Sequence, residues 1–166
     1  MDVRDAIIAE ARRWTGTPWR HLGRGPPSRS SASPCGPKPF GRRVVRRTGR
    51  HGLDCAGLPI VVAQALGLAE YEPGAYPPRP DGTFLRRFAE GGCVSKPITQ
   101  ARPGDILIFA ESGVPCHCGV MTTLRGEPAV IHAHAQRRRV IEETLESARS
   151  VVGRPARCYR FPGVDG

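Results

Sequence analysis

The chain has 166 residues, the size of one ordinary domain, with 39% hydrophobic and 24% charged residues, near the soluble average. Lys and Arg number 25 against 15 Asp and Glu, and the resulting charge of +10 favours polyanions or anionic surfaces without naming one. No apolar run is long enough to span a membrane, and the first residues lack the basic start and apolar stretch of a secretory signal, so membrane insertion and signal-directed export are not expected.

Val3, Ile7, Ala11 and Trp14 recur at helical spacing, with Asp2 placed to cap and Gly16 to stop, so an amphipathic helix opens the chain. Thr17 to His21 leads into residues 23–50, which are rich in Gly, Pro, Ser and Arg and poor in aliphatic residues. No acidic residue lies between Glu10 and Asp54, so the charge excess gathers here and the stretch reads as a basic loop within a single domain spanning residues 1–166. Leu53-Asp54-Cys55-Ala56-Gly57-Leu58 then opens an apolar run from Pro59 to Leu68 that is expected to be a buried helix closing near Gly67. Pro59 fits only a first turn, which puts the helix start close to Cys55. Residues 70–82, with four prolines, are expected to form a loop, and residues 83–90 a short helix ending at Gly91-Gly92.

Beyond that point the period changes. Ile106–Phe109, Cys118–Thr122 and Ala129–His132 are short apolar runs between turn residues and read as antiparallel strands, with Val140–Glu142 and Ala156–Phe161 as two more. Helices followed by a sheet predict an α+β domain.

A cysteine at a helix start sits where backbone N–H groups and the helix dipole favour negative charge, which lowers the thiol pKa. Cys55 occupies that position, Asp54 is placed to cap the helix, and the small Ala56 and Gly57 leave room for a carbonyl beside the first N–H groups. A nucleophilic thiol needs a base, and His117, His132 and His134 lie on two predicted strands joined through residues 124–128. Such a hairpin brings His117 near both later histidines; a shift of register exchanges the neighbour, so strand arithmetic leaves both as partners.

In order, Thr15-Gly16-Thr17-Pro18-Trp19, Leu53 to Leu58, Arg102-Pro103-Gly104-Asp105-Ile106-Leu107-Ile108-Phe109, His117-Cys118-Gly119-Val120 and Ile131-His132-Ala133 resemble the blocks of NlpC/P60 cell-wall peptidases. Short phage and gene-transfer-agent tail peptidases are similar also at Arg79-Pro80-Asp81-Gly82 and Tyr159-Arg160-Phe161-Pro162-Gly163. The resemblance implies a papain-like fold, a Cys-His-His triad that cleaves peptide bonds of bacterial peptidoglycan, and no cofactor. By motif position Cys55 matches the nucleophile, His117 the base and His132 the third polar residue, with Trp19, Asp54 and Ala56 on the substrate side. It further implies tail-tip or hub proteins as partners, synthesis in the cytoplasm and action on the periplasmic wall. Trp19 stands where many relatives have tyrosine and Ala56 where many have serine, so no substrate preference carries over. Residues 23–50 exceed the usual loop and are a candidate for docking or for gripping anionic wall polymers.

Three other readings are weaker. Zinc at Cys116-His117-Cys118 is disfavoured because adjacent strand residues point to opposite faces, which turns Cys116 and Cys118 away from His117, and no CxxC pair completes the site. A nucleic-acid module would rest on Arg42-Arg43-Val44-Val45-Arg46-Arg47, which has no aromatic residue to stack on bases. A tail component with a decayed site is opposed by the presence of all three triad positions.

Overall fold

The computed structural model describes residues 2–21, 52–69, 88 and 91–164. The basic loop expected at 23–50 and the loop expected at 70–82 lie outside the described residues. Of the helix expected at 83–90 only Phe88 is described; it is helical and buried, with its ring 6.1 Å from that of Tyr159.

Helix α1, Val3–Arg13, begins where Asp2 accepts a hydrogen bond from the Arg4 N–H and ends with Arg12 and Arg13 in its last turn, charges that suit both ends of the dipole. Its stripe turns inward as the spacing requires, Ile7 and Ala11 fully buried and Val3 and Trp14 packed at the margin. Helix α2, Gly57–Leu66, is apolar nearly all round and buried through Ala63; Gly67, at φ 67°, ends it in the left-handed conformation that glycine adopts without strain.

Six strands follow: β1 Val94–Pro97, β2 Ile106–Glu111, β3 Val114–Leu124, β4 Glu127–His134, β5 Arg139–Thr144 and β6 Arg154–Arg160, with helix α3, Leu145–Val152, between the last two. They form one antiparallel sheet in the order β1-β6-β2-β3-β4-β5. The β3–β4 turn is tighter than the sequence suggests. Leu124 pairs with Glu127 across Arg125-Gly126, both at positive φ, the two-residue geometry that matches strand twist.

Strand alternation divides the core. Ile106, Ile108, Val120, Ile131 and Ala133 face α1 and α2, whereas Leu107, Phe109 and Val130 form a smaller cluster with Ala148 of α3. The turn Pro103-Gly104-Asp105 clamps α1 to the sheet. Asp105, with no exposed surface, accepts from Arg4 Nη1 (3.0 Å), from Arg160 Nε and Nη2 (both 3.1 Å) and from the Arg102 N–H (3.0 Å). Gly104, at φ 91°, lies so near α1 that a Cβ there would come 3.3 Å from Arg4 Cα.

Candidate active site

Residues 16–20 tie the segment that leads into Cys55 and α2 to strand β5. Gly16 N–H and Thr17 C=O bond to Val140 of β5, Trp19 N–H bonds to Arg138, and Pro18 and Arg20 pair with Leu53 at 2.9 and 3.0 Å. A Cβ at Gly52 would stand 2.5 Å from Arg20 Cβ, so this approach needs glycine. Trp19, half-buried, is thereby fixed beside Leu53, two residues before Cys55.

Asp54 then starts the helix. Its Oδ1 accepts from the Gly57 N–H at 2.7 Å and its C=O from the Leu58 N–H at 3.2 Å, the bonding of an N-cap, with Oδ2 3.9 Å from His21 Nδ1. The helical turn therefore runs from Cys55, ahead of the regular α2 hydrogen bonds. Cys55 stays partly exposed while Ala56 is buried in helical geometry. A helix offers no internal acceptor to first-turn N–H groups, so those of Cys55 and Ala56 lie where a developing oxyanion can use them.

Strand β3 supplies two neighbours to that thiol. Cys118 donates its S–H to the Cys55 carbonyl at 3.1 Å, and His117 lies at the thiol itself. The Cys55 thiol is held well below the usual thiol range, first by a hydrogen bond from Cys118 and then, against the effect of burial, by the hydrogen bond and charge of His117. Burial and the adjacent Cys55 push Cys118 well up, so Cys55 is the member that ionises. Cys116 instead reaches the carbonyls of Phe109 and Val152. Cys116 thus points away from the other two, and among the described residues no group of three or more His, Cys, Asp or Glu is placed to hold a metal.

Behind His117 stands His132 of β4, with His117 Nε2 2.7 Å from His132 Nδ1 and the rings edge to face at 4.9 Å. The partner that register left open is therefore His132. Gly119 permits the approach: a Cβ there would lie 2.8 Å from His132 Cβ and 2.6 Å from Val130 Cγ2. His134 is buried one pleat further, its Nδ1 accepting from the Arg137 N–H, its ring 5.3 Å from His132.

One contact was not anticipated from the sequence. His132 Nε2 lies 2.9 Å from Glu143 Oε1 on β5. Burial pushes His132 down to about 4, outweighing the carboxylate that would raise it. The hydrogen bond from His132 in turn lowers Glu143, which is ionised near neutrality. Glu142-Glu143 offered a signal only to someone who had already paired β5 with β4.

No family model and no curated protein matches the chain. Solved structures do. The NlpC/p60 domain of the peptidoglycan hydrolase SagA is 21% identical with a TM-score of 0.54, covering 93% of this chain and 96% of that one. RipD from Mycobacterium tuberculosis, described as a non-catalytic NlpC/p60 domain protein adapted to peptidoglycan binding, is 16% identical with a TM-score of 0.55, covering 96% and 98%. An N-acetylmuramoyl-L-alanine amidase from Bacteroides uniformis is 10% identical with a TM-score of 0.54, also covering 96% and 98%. Residues 2–164, where described, have the fold shared by NlpC/p60 domains: N-terminal helices packed on a six-stranded antiparallel sheet.

Proposed function

We propose that the chain is a cysteine peptidase that cleaves peptide bonds in bacterial peptidoglycan, with Cys55 as nucleophile, His117 as base and His132 as the residue that orients the base. The observation that carries the reading is the continuous line of Cys55 at a helix start, His117 at its thiol and His132 at 2.7 Å behind. Support for the peptidoglycan substrate comes from the motif resemblance and from the hydrolases among proteins of this fold.

In this mechanism the Cys55 thiolate adds to the scissile carbonyl carbon, and the oxyanion gathers at the first-turn N–H groups of Cys55 and Ala56. His117, carrying the thiol's proton, gives it to the leaving amine. A water molecule, deprotonated by His117, then hydrolyses the thioester and restores the thiol. Trp19, Asp54 and Ala56 line the approach in this proposal, Asp54 acting through the helix it caps.

Purified peptidoglycan incubated with the protein and analysed by mass should yield new stem-peptide fragments, and Cys55→Ala should abolish them while the circular dichroism spectrum is unchanged. Fragments from the Cys55→Ala protein would overturn the assignment. Binding to the wall without cleavage would instead match the behaviour for which RipD is described.

The resemblance at Arg79–Gly82 and Tyr159–Gly163 supports delivery on a phage-like tail. Mass spectrometry of purified particles from the source should then find the chain as a stoichiometric component; its confinement to the particle-free lysate would reject this part of the proposal.

A further inference from the structure

Building on that reading, we infer that Glu143 is a fourth member of the line, a positioning residue whose carboxylate sets the tautomer of His132 and through it the nitrogen that His117 presents to Cys55. Donors and acceptors along the line fix each hydrogen in turn. An ionised carboxylate only accepts, so His132 Nε2, 2.9 Å from Glu143 Oε1, carries the hydrogen. A neutral imidazole carries one hydrogen, so His132 Nδ1 is left with a lone pair. It accepts from His117 Nε2 at 2.7 Å, and His117 therefore meets Cys55 through its other nitrogen, Nδ1, as proton acceptor.

Without the carboxylate His132 is free to take the opposite tautomer. Its Nδ1–H would then face the His117 Nε2–H, donor against donor. His117 could relieve this only by moving its hydrogen to Nδ1, the nitrogen that has to take the thiol's proton. Loss of Glu143 thus opposes the thiolate–imidazolium pair without touching either partner.

The fold makes Glu143 fit for this role. On β5 it lies opposite Val130, one pleat from the Ile141–His132 pair, while Glu142 is bound by Arg12 of α1. Among the described residues, the other titratable groups around the line include His134 and Arg137 near Glu143, Cys118, Cys116 and Asp54 toward the thiol, Glu111 beside Cys116 and His21 beside Asp54.

The test reads Cys55 directly and needs no peptidoglycan. The pH dependence of Cys55 alkylation by iodoacetamide, followed peptide by peptide by mass spectrometry, should have a midpoint well below that of an ordinary thiol in the wild type. In Glu143→Leu, which offers no acceptor to His132 Nε2, it should rise by roughly one pH unit, and kcat should fall at least about tenfold with KM little changed. Glu143→Gln, whose carbonyl oxygen can still accept, should recover part of both. Nitrogen-15 spectra of the wild type should report His132 as the Nε2–H tautomer. Coincident wild-type and Glu143→Leu alkylation profiles, an Nδ1–H tautomer at His132, or an ordinary wild-type profile would each overturn the inference. A depressed wild-type midpoint that rises in Glu143→Leu, in a protein that releases no peptidoglycan fragments, would uphold the role of Glu143 and reject the peptidase reading.

Discussion

In the proposed mechanism His132 orients the base only while it stays neutral, and its complete burial favours the neutral form across the physiological range. A residue acting through another contributes less than the base itself. His132→Ala should therefore lower kcat by roughly a hundredfold, whereas His117→Ala should match the loss in Cys55→Ala. His134 bonds to the Arg137 backbone, and its substitution by alanine should leave kcat within about threefold while costing on the order of 1 kcal/mol of stability. A dead His134→Ala enzyme beside an active His132→Ala one would reverse the assignment. The placement of Cys55 was legible because its signal is local: an acidic cap, small neighbours and a helix start. The placement of His117 on a strand was legible from the apolar run that follows it. Which histidine completes the line depends on a register and on the missing Cβ of Gly119, and Glu143 on a second strand pairing; neither is written in any short segment. Cys118 was read only as facing away from His117, yet β3 passes so close to the start of α2 that both neighbours reach Cys55.

The elements that periodicity identified are those with long apolar patterns: α1, α2, and strands β2 to β6 with ends that differ by a few residues. Strand β1 escaped because Val94–Pro97 is a four-residue edge without alternation. Helix α3 escaped although Thr144 caps it by accepting from the Ser147 N–H, since eight residues with one fully buried side chain give little pattern. The block Arg102 to Asp105 was read for its resemblance, and its physical task is to join elements. Asp105 sits between Arg4 of α1 and Arg160 of β6, at the opposite end of β2 from the Phe109–His117 pair. Asp105→Asn removes the carboxylate that joins the largely buried guanidinium groups of Arg4 and Arg160, whose other bonds remain, and should cost on the order of 2–3 kcal/mol, at or below the range for a broken buried pair. Urea unfolding should record a loss of that order, while Cys55 alkylation at low denaturant keeps its pH midpoint. An unchanged unfolding midpoint would show that the clamp holds nothing.

For the molecule as a whole, the α+β architecture was readable from helical spacing giving way to short apolar runs, whereas its pH response follows only from burial. His132 and His134 are both lowered chiefly by burial, so between pH 6.5 and about 4 the unfolded chain takes protons that the folded one refuses, and stability falls as pH falls. Glu143, lowered by its bond to His132, acts in the same direction: its stabilisation is present above the ordinary carboxylate value and is lost as pH drops through its own. On the alkaline side the sign reverses. Burial raises Cys93 from 9.0 to about 11, and raises Cys116 and Cys158, so stability present below pH 9 is lost as the unfolded thiols ionise first. The unfolding free energy should therefore be greatest between about pH 6.5 and 9. Its acid limb should include a contribution of order 3 kcal/mol from His132, since each tenfold weakening of proton binding in the folded state is worth about 1.4 kcal/mol. Urea titrations under reducing conditions at pH 4.5, 7.5 and 10.5 measure this directly, and His132→Gln, which cannot titrate, should flatten the acid limb. A wild-type protein that is as stable at pH 4.5 as at 7.5, or a His132→Gln protein with an undiminished acid limb, would mean that His132 is not held neutral by burial, and the orientation of His117 would need another source.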